Sequence, residues 1–515
     1  MQDIVTLGEL LRGHAAAHPD RDALIDGNER ITYAETNRRA NRVANGLLAA
    51  GLKPGARIAL LDKNDANYFE LQFGCAKAGM VLVPINWRLA PPEIAFIVKD
   101  AESAMLLYGP EFAPVVDAIK AELGNIPLVP LGVAGRDGYA AWRDRQSDAE
   151  PETRTTPDDT VLQLYTSGTT GRAKGVQLCA RGLLVSLPGF IEIGVCRDDD
   201  IYLLPMPFFH IGGSAMAILA VALGCTSVVI RDLDPKTLLE AIATHRVTLM
   251  FLVPAVILFM LTVPSIGDID LSSLRLILYG GSPIPVALLK RAMAVFKCGF
   301  GQVYGMTEAS GTITYLPADD HDPDNVARLK SCGRAIPDVE MRVVDADDNE
   351  VPDGTVGEIV CRAVKIMPGY WNRPQENARA IRDGWFHTGD AGYRDADGYY
   401  YIHDRVKDMI VSGGENIYPA EVENALYGHP AIQDVAVIGV PDDKWGETVK
   451  ACVVLKSGAT ATADDLIAFA RTKIGGFKLP RSVDFMAELP RNATGKFLKR
   501  ALREPYWQGR DRQVN

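Results

Sequence analysis

Helical and strand-like patterns alternate along most of the chain, and this alternation limits the folds that it can adopt. Apolar residues recur at helical spacing over residues 34–50, and the short apolar run Arg57–Leu61 follows after a turn. A second helical pattern over residues 68–78 precedes the strand-like run Val81–Pro84. Strands that alternate with helices usually form parallel sheets, which bind ligands at the carboxyl ends of their strands. The sequence therefore predicts an α/β fold with mainly parallel sheets.

The chain is too long for one hydrophobic core, because its 515 residues exceed the usual domain size of about 100–200 residues. Beyond residue 405 the pattern changes to a helix over residues 420–427, a strand over 435–440 and a helix over 463–472. These elements fit an α+β unit of about a hundred residues, which is a normal domain size. We therefore predict an N-terminal domain over residues 1–405 and a C-terminal domain over residues 406–515.

Net charge and cysteine spacing argue against several classes of protein. The formal net charge is −11 at pH 7, so bulk electrostatics provides no attraction to the phosphate backbone of nucleic acid. The eight cysteines are scattered and include no CxxC pair, which fits neither a zinc site nor a disulfide framework. We expect free thiols, a cytoplasmic protein and no nucleic-acid partner.

Two stretches without charged residues, 211–230 and 247–264, approach the length of a membrane span. The first is interrupted by glycines, among them Gly212 and Gly224, and Pro254 cuts the second. Each pattern is typical of a buried helix beside a buried strand. We therefore predict no transmembrane segment.

Residues 166–175 (TSGTTGRAKG) form a glycine-rich segment between two apolar strands. Glycines let backbone N–H groups turn toward an anion, while hydroxyls and a lysine add further donors. The residues that supply these features are Thr166, Ser167, Gly168, Thr169, Thr170, Gly171, Lys174 and Gly175. The spacing is not that of a P-loop, because two residues separate Gly171 from Lys174. Taken alone, the segment fits either a triphosphate-binding loop or a flexible polar hairpin.

Six motifs in fixed order support the triphosphate-binding loop. They are residues 166–175, 280–285 (GGSPIP), 304–308 (YGMTE), 384–390 (GWFHTGD), 404–419 (DRVKDMIVSGGENIYP) and 490–496 (PRNATGK). Together they resemble the acyl-adenylate-forming superfamily of acyl-CoA synthetases, adenylation domains of peptide synthetases and firefly luciferase, with bacterial fatty-acyl-CoA synthetases most alike. The resemblance implies a large N-terminal domain of stacked α/β sheets with a small β-barrel-like part, and a small mobile α+β C-terminal domain.

The resemblance also implies a nucleotide site. Glu308, a hard oxygen ligand, would bind Mg²⁺ together with Thr169, and Tyr304 would stack on adenine. Asp390 and Arg405 would bind the ribose hydroxyls. The remaining nucleotide contacts implied by the motifs are Gly280, Gly281, Ser282, Gly305, Met306 and Thr307. Without the resemblance, these residues would be taken for a solvated carboxylate, core packing and turn residues.

The C-terminal motifs carry the implied catalytic lysine and the coenzyme A site. Lys496 would stabilise negative charge between the acyl carboxylate and the α-phosphate, although an isolated lysine is usually just exposed. Lys407 matches a hinge about which the small domain rotates between the two half-reactions. Gly413, Gly414 and Lys478 would contact coenzyme A.

His210 and Tyr279 are expected to border the acyl pocket. The catalytic set implied by the resemblance is Lys496, Glu308, Thr169 and His210. A histidine in an apolar run is more often a packed core residue, and we assign His210 a positioning role, not that of a general base. Tyr279 is bulkier than expected for some relatives and is predicted to narrow the pocket.

The leading hypothesis is an AMP-forming acid–thiol ligase that uses ATP, Mg²⁺ and coenzyme A, with a medium- to long-chain fatty acid as substrate. An aryl or alicyclic acid is the second choice of substrate. Two further hypotheses are a carrier-protein-loading adenylating enzyme and a non-catalytic nucleotide or acyl binder. Chain length, peripheral membrane contact and a homodimer remain open at this point.

Overall fold

The computed structural model describes residues 6–132, 138–166, 173–282, 284–405, 408–412, 415–442, 445–491 and 497–508. Strands make up the sheets as follows: β1 Asp22–Asp26, β2 Glu29–Thr32, β3 Arg57–Leu61, β4 Val81–Pro84, β5 Ser103–Tyr108, β6 Leu128–Pro130, β7 Thr160–Thr166, β8 Lys174–Cys179, β9 Ile201–Leu204, β10 Thr226–Val229, β11 Leu249–Leu252, β12 Leu276–Gly280, β13 Gly299–Met306, β14 Gly311–Leu316, β15 Arg334–Ala335, β16 Glu340–Val344, β17 Gly357–Arg362, β18 Ile381–Arg382, β19 Trp385–Arg394, β20 Tyr400–Arg405, β21 Ile410–Ser412, β22 Glu415–Ile417, β23 Ile432–Asp442, β24 Gly446–Leu455 and β25 Ser482–Phe485.

Helices connect and cover these strands. They are α1 Leu7–Ala17, α2 Tyr33–Ala49, α3 Ala66–Lys77, α4 Pro91–Asp100, α5 Ala113–Leu123, α6 Tyr139–Asp144, α7 Ala180–Leu184, α8 Leu187–Glu192, α9 Ile211–Ala222, α10 Pro235–His245, α11 Pro254–Met260, α12 Val286–Phe296, α13 Pro374–Ala380, α14 Pro419–Tyr427, α15 Ala463–Arg471 and α16 Lys499–Trp507. The predicted helices and strands of the first hundred residues are confirmed, with ends displaced by two residues at most.

Two large sheets dominate the first part of the chain. Within the described residues, one has nine strands in the order β15-β14-β13-β12-β11-β9-β10-β1-β2, and the other has six in the order β6-β5-β3-β4-β7-β8. The central pairs are parallel, and antiparallel pairs lie toward the edges. The predicted α/β fold with mainly parallel sheets is confirmed.

A shared core joins the two large sheets. Buried side chains of α2 and α3, such as Val43 and Phe69, pack in one cluster with Leu162 of β7 and Tyr202 of β9. Helix α9 contributes Ile218 to the same cluster. The helices between the sheets therefore bury apolar residues toward both of them.

Two smaller sheets follow along the chain. Strands β16 to β20 form a five-stranded antiparallel sheet, the curled half barrel of the fold, in the described part of the chain. Strands β22-β21-β24-β23, with β25 beside β24, form the last sheet, against which α14 and α15 pack. The small C-terminal α+β unit expected from the sequence is present, and β20 ends at the predicted boundary, Arg405.

Both charge-free stretches are a helix beside a strand, as predicted. The first forms α9 and β10, and the second forms β11 and α11. No helix among the described ranges combines the length and apolar character that a membrane crossing needs. All eight cysteines are free, and seven of them are buried.

Parallel strands β9, β11, β12 and β13 end at the same edge of the nine-stranded sheet. The residues that follow or finish these strands include Met206, Val253, Gly281 and Glu308, and all four line one large cavity. The cavity therefore lies at the carboxyl ends of the strands, where α/β folds bind ligands.

Candidate functional site

The cavity has a volume of about 2390 Å³ and extends from the end of β13 to residues of α14 and α16. A pocket for one drug-sized ligand usually measures about 300–1,000 Å³. The cavity is thus large enough for more than one substrate. Its lining contains the predicted residues Thr166, Lys174, His210, Gly281, Ser282, Tyr304, Gly305, Met306, Thr307, Glu308 and Asp390.

Tyr304 and the buried Asp390 form a hydrogen-bonded pair that joins the nine-stranded sheet to the half barrel. The Tyr304 hydroxyl donates to Asp390 Oδ2 at 2.7 Å, and Asp390 is 5% exposed. Burial, reinforced by the Asp390 carboxylate, raises the pKa of Tyr304 well above its ordinary value, so the hydroxyl keeps its proton. Arg405 is the cross-strand partner of Asp390 in the β19–β20 pair. The two predicted ribose-binding residues therefore occupy neighbouring backbone positions.

Glycines at the ends of β12 and β13 bring backbone close to the cavity. A Cβ at Gly305 would lie 1.9 Å from the Gly311 carbonyl oxygen on β14, so no side chain fits there. Gly281 has a φ of +79°, a left-handed conformation that favours glycine. Gly280 is the last residue of β12 and does not appear among the described lining residues. The wall beside Tyr304 is thus formed largely by main chain.

Glu308 is held at the cavity wall by the segment that follows β17. Its Oε1 accepts a hydrogen bond from the Tyr370 hydroxyl at 2.9 Å, and its carbonyl accepts from the Met367 N–H at 2.7 Å. The Lys174 ammonium lies 5.0 Å from the centre of the Tyr370 ring. A carboxylate and a lysine therefore meet at one aromatic side chain, where strand β8 leaves the glycine-rich segment.

His210 lies at the start of α9 and faces the cavity. Its ring packs 4.6 Å from the Phe209 ring, and its Nε2 is buried without a hydrogen-bond partner among the described residues. Burial, with a smaller contribution from the Arg88 cation, lowers the pKa of His210 to about 4. The imidazole is therefore neutral at physiological pH. A neutral ring with an unpaired nitrogen suits the predicted positioning role better than proton abstraction.

Apolar side chains line the part of the cavity next to His210, which we term the acyl compartment. They are Leu183, Phe190, Ile211, Met216, Leu219 and Phe251. Helix α9 packs tightly here, because a Cβ at Gly212 would lie 2.6 Å from the Phe251 ring. Such a lining suits the apolar body of a carboxylic acid.

Tyr279 does not narrow this compartment, so that expectation was wrong. Its side chain is fully buried in the core, 6.3 Å from the Phe300 ring, and its hydroxyl donates to Gln302 Oε1 at 3.3 Å. Leu278 and Gly281 line the cavity, but Tyr279 is absent from its described lining. Side chains alternate in direction along a strand, and that alternation sends Tyr279 into the core.

Basic residues line the far side of the cavity, toward the C-terminal sheet. They are Lys473, Arg491, Lys499, Arg500 and Arg503. Lys478 instead donates to both oxygens of Glu421, at 2.7 and 2.8 Å, and is not among the described lining residues. Arg491, Lys499 and Arg503 are ion-paired with Asp434, Glu423 and Asp408. The positive charge that suits a phosphate-bearing ligand therefore rests on Lys473 and Arg500.

Several predicted residues lie outside the described part of the chain. They are Ser167, Gly168, Thr169, Thr170, Gly171, Lys407, Gly413, Gly414 and Lys496. The flanks of the glycine-rich segment are described, since Thr166 ends β7 and pairs in register with Lys174 of β8. The assigned roles of these residues remain predictions.

Sequence reasoning missed the functional importance of the segment between β17 and α13. Lys365 and Tyr370 both line the cavity, and neither belongs to the six motifs. Lys365 stands among Ala363, Val364, Ile366 and Met367. A lysine flanked by apolar residues on both sides was the signal that could have drawn attention to it.

The donor set fits a nucleotide with Mg²⁺ and an acid beside it. Glu308 offers the oxygen ligand that Mg²⁺ prefers, and bound Mg²⁺ would neutralise charge on the phosphates. The buried Asp390 carboxylate offers acceptors for hydroxyl groups, with Tyr304 presenting its ring nearby. The apolar compartment adjoins them, so an acid and a nucleotide can meet near His210.

Comparison with known proteins agrees with this geometry. The family model described as AMP-binding enzyme matches residues 11–371, and the one described as AMP-binding enzyme C-terminal domain matches residues 421–496. The fatty acid–acyl-carrier-protein ligase ScoC of Streptomyces coeruleorubidus is 41% identical over 99% of this chain and 98% of its own. A feruloyl-CoA synthase of an Amycolatopsis species is 40% identical over 96% of this chain and 97% of its own.

A solved structure described as Mycobacterium tuberculosis fatty acyl CoA synthetase superposes with a TM-score of 0.79. It shares 36% sequence identity, and the match covers 98% of this chain and 99% of that one. Adenylate-forming acyl-CoA ligases use ATP, Mg²⁺ and coenzyme A. The chain therefore belongs to the AMP-binding enzyme family, among its adenylate-forming acyl-CoA and acyl-carrier-protein ligases.

Proposed function

We propose that this protein activates a medium- to long-chain fatty acid with ATP and transfers the acyl group to coenzyme A. The observation that carries the proposal is the juxtaposition of the acyl compartment with Glu308 and the Tyr304–Asp390 pair in one cavity. The compartment offers Phe190 of α8 and Ile211, Met216 and Leu219 of α9, which suit an extended aliphatic body. An elongated apolar acid gains about 0.8 kcal/mol for each buried methylene group.

The reaction has two displacements. In the first, a carboxylate oxygen of the acid attacks the α-phosphorus of ATP, and pyrophosphate leaves to give an acyl-AMP. In the second, the coenzyme A sulfur attacks the acyl carbon, the thiol loses its proton, and AMP leaves. The chain's own part is to align the acid beside the nucleotide and to exclude water from the activated acyl group.

Lys496 is proposed to stabilise the negative charge that develops in the first displacement. Lys407 is proposed as the hinge that then rotates the C-terminal unit. After the rotation, residues 412–419 would replace Lys496 at the cavity and line the path of the thiol. Lys473 and Arg500, which line the cavity on this side, support a phosphate-bearing acceptor.

Two different assignments are each favoured by a named relative. ScoC, at 41% identity, is named for an acyl-carrier-protein acceptor, and it favours loading of a carrier protein in trans as the second step. The feruloyl-CoA synthase, at 40% identity, favours an aryl acid as the substrate. A membrane-associated or homodimeric form would be compatible with either.

A panel of carboxylic acids tests the proposal. Aliphatic acids of graded length, aryl acids and alicyclic acids would each be assayed for AMP release that depends on both ATP and coenzyme A. We expect the highest kcat/KM for an aliphatic acid and an acyl-CoA product by mass spectrometry. Highest kcat/KM for an aryl acid would overturn the substrate assignment. Acyl-AMP formation without any thioester would favour a carrier protein as acceptor.

A further inference from the structure

Lys365 places a buried amine at the wall of the cavity. The residue is 3% exposed and belongs to the described lining. Its Nζ donates to the Thr312 carbonyl at 2.7 Å and to the Ser186 hydroxyl at 3.0 Å. The Phe190 ring of the acyl compartment lies 6.0 Å away. Lys365 and its two polar partners therefore lie beside the apolar side chains of the acyl compartment.

The other buried lysines in the described part of the chain have carboxylate partners. Lys77 donates to both oxygens of Glu150, at 2.9 and 2.7 Å, and Lys450 donates to Asp484 at 2.6 Å. Among the described residues, Lys365 contacts a hydroxyl and a carbonyl but no carboxylate. An ammonium has three N–H donors, and these two contacts use two of them. A buried cation without a counter-ion costs stability and suggests a partner that comes from outside the chain.

The position of Lys365 relative to the reacting centre follows from β14. Thr312, which accepts from the Lys365 ammonium, follows Gly311 at the start of that strand. A Cβ at Gly311 would lie 3.9 Å from Ile211, the residue after His210. The start of β14 therefore connects Lys365 to the part of the acyl compartment that lies next to His210.

We propose that Lys365 donates a hydrogen bond to a second oxygen group on the acid, so that the protein selects acids with an oxygen acceptor along their apolar body. The acceptor is a keto or hydroxyl oxygen or a second carboxylate, held apart from the carboxylate that reacts. Ser186 and Thr312 aim the amine, and Phe190 packs beside it. This inference rests on the proposed function, since it assigns the acid-binding end of the same site.

The chemistry of the amine accommodates both kinds of acceptor. Burial lowers the pKa of Lys365 to about 7, so neutral and protonated forms coexist near physiological pH. Both forms donate hydrogen bonds. A second carboxylate would favour the protonated form, whereas a keto oxygen accepts a hydrogen bond from either form.

Matched acids provide the test. Straight-chain acids of graded length would be compared with the same chains carrying a keto group or a terminal second carboxylate, by kcat/KM for AMP release. We expect the wild-type protein to prefer one oxygenated acid over its unsubstituted partner. In Lys365→Met, that preference ratio should fall by about tenfold or more, because a charge-assisted hydrogen bond is lost. The keto and dicarboxylic arms show which acceptor is used.

Lys77→Met and Lys450→Met are matched controls, because each removes a buried lysine that lies outside the described lining. Their preference ratios should equal that of the wild type. A ratio unchanged in Lys365→Met, or an equal fall in the controls, would overturn the inference. If Lys365→Met does not fold, the wild-type protein alone still tests the inference. The inference is overturned if no oxygenated acid has a higher kcat/KM than its unsubstituted partner. Turnover of unsubstituted acids with no such preference would leave the proposed function intact, whereas turnover of no acid would refute it.

Discussion

Two titratable side chains that line the cavity, His210 and Lys365, have pKa values that burial lowers. The pKa is about 4 for His210, which is neutral at physiological pH, and about 7 for Lys365, whose two forms coexist there. The place of His210 beside the pocket could be predicted from the family resemblance. Lys365 could not, because its partners Ser186 and Thr312 are remote in sequence, and only tertiary packing brings them to its ammonium.

Lys365→Met should stabilise the folded protein at neutral pH. Methionine fills a similar volume without a charge, so we expect a gain of about 1–3 kcal/mol in the free energy of unfolding, even though Ser186 and Thr312 lose a donor. The folded pKa, about 7, lies below the ordinary value of 10.5, so the native state binds fewer protons between these two values. The destabilisation of the folded state by the buried lysine is therefore greatest below pH 7, and it decreases as the pH rises toward 10.5.

Denaturant unfolding at pH 6, 8 and 10 measures this effect. The advantage of the methionine variant should be largest at the lowest of these pH values and smallest at the highest. Lys77→Met should instead destabilise the protein by about 1–3 kcal/mol, because it leaves the partly buried Glu150 unpaired. A methionine variant less stable than the wild type at pH 6 would show that Lys365 is structurally required.

Tyr304→Phe should weaken nucleotide binding while keeping the aromatic ring. The variant removes the hydroxyl that donates to the buried Asp390, so the carboxylate loses an anchoring partner. We expect the KM for ATP to rise by about tenfold, the effect of one charge-assisted hydrogen bond. Tyr399→Phe is the control, because Tyr399 donates to Asp320 at 2.7 Å outside the described lining. Equal ATP kinetics in both variants would contradict the assigned role.

Lys496→Ala should abolish ATP–pyrophosphate exchange and leave ATP binding nearly intact. The lysine is proposed to stabilise charge that appears only in the transition state, so its removal affects the rate much more than ground-state binding. Exchange of labelled pyrophosphate and calorimetric titration with ATP measure the two quantities. Lys499→Ala, a neighbouring lysine paired with Glu423 at 2.9 Å, serves as the comparison. Undiminished exchange in the Lys496 variant would refute the mechanism.

At the scale of elements, the strand pair β13–β14 determines the shape of the cavity wall beside Tyr304. Gly305→Ala should be severely destabilising, by about 3 kcal/mol or more, since its Cβ would collide with the Gly311 carbonyl. Gly13→Ala in α1 should instead stabilise by about 0.5–1 kcal/mol, because nothing lies within 4 Å of its Cβ. Thermal unfolding of both variants checks the contrast. Equal melting temperatures would mean that β14 moves aside easily.

The elements that local periodicity predicted are correct, because periodicity reports which face of a helix or strand is buried. It located α2, β3, α3 and β4, and it separated α9 from β10 within a charge-free stretch. The wrong expectation for Tyr279 came instead from the size of its side chain compared with some relatives, and alternation along β12 turns that side chain into the core. The segment between β17 and α13 has no periodicity at all, so its two cavity residues, Lys365 and Tyr370, left no pattern to find.

At the scale of the whole molecule, strands of the nine-stranded sheet, the six-stranded sheet and the half barrel line the cavity, together with helices α14 and α16 of the C-terminal unit. The topology produces this arrangement, since parallel strands of the nine-stranded sheet end at one edge and the other elements surround that edge. The sequence predicted that the ligand site lies at the carboxyl ends of parallel strands, and it located the motifs found there. The closeness of Arg491 and Arg503 to the same cavity depends on how the C-terminal unit packs, which local sequence does not encode.

Occupation of this shared cavity should stabilise the entire protein. A sulfamate analogue of an acyl-adenylate, present at about 100 times its Kd, should add about 2.7 kcal/mol to the free energy of unfolding. Differential scanning fluorimetry measures the shift, with adenosine alone as the control. Tyr304→Phe should show a smaller shift at the same concentration. A protein that turns over acid and ATP without any shift would place the ligand outside this cavity.

The short segment between β17 and α13 touches both substrates' compartments. Lys365 faces the acyl compartment, the Tyr370 hydroxyl holds Glu308, and the Trp371 N–H donates to the Gly175 carbonyl at 2.7 Å. An acid that binds Lys365 as proposed would restrain the backbone beside Glu308, the proposed Mg²⁺ ligand, and beside Gly175, where the glycine-rich segment ends. Thermodynamic reciprocity then requires that the factor by which the acid tightens ATP binding equal the factor by which ATP tightens acid binding. Substrate synergy would be a built-in property of this enzyme, with acids distinguished partly by how well they help it hold its nucleotide.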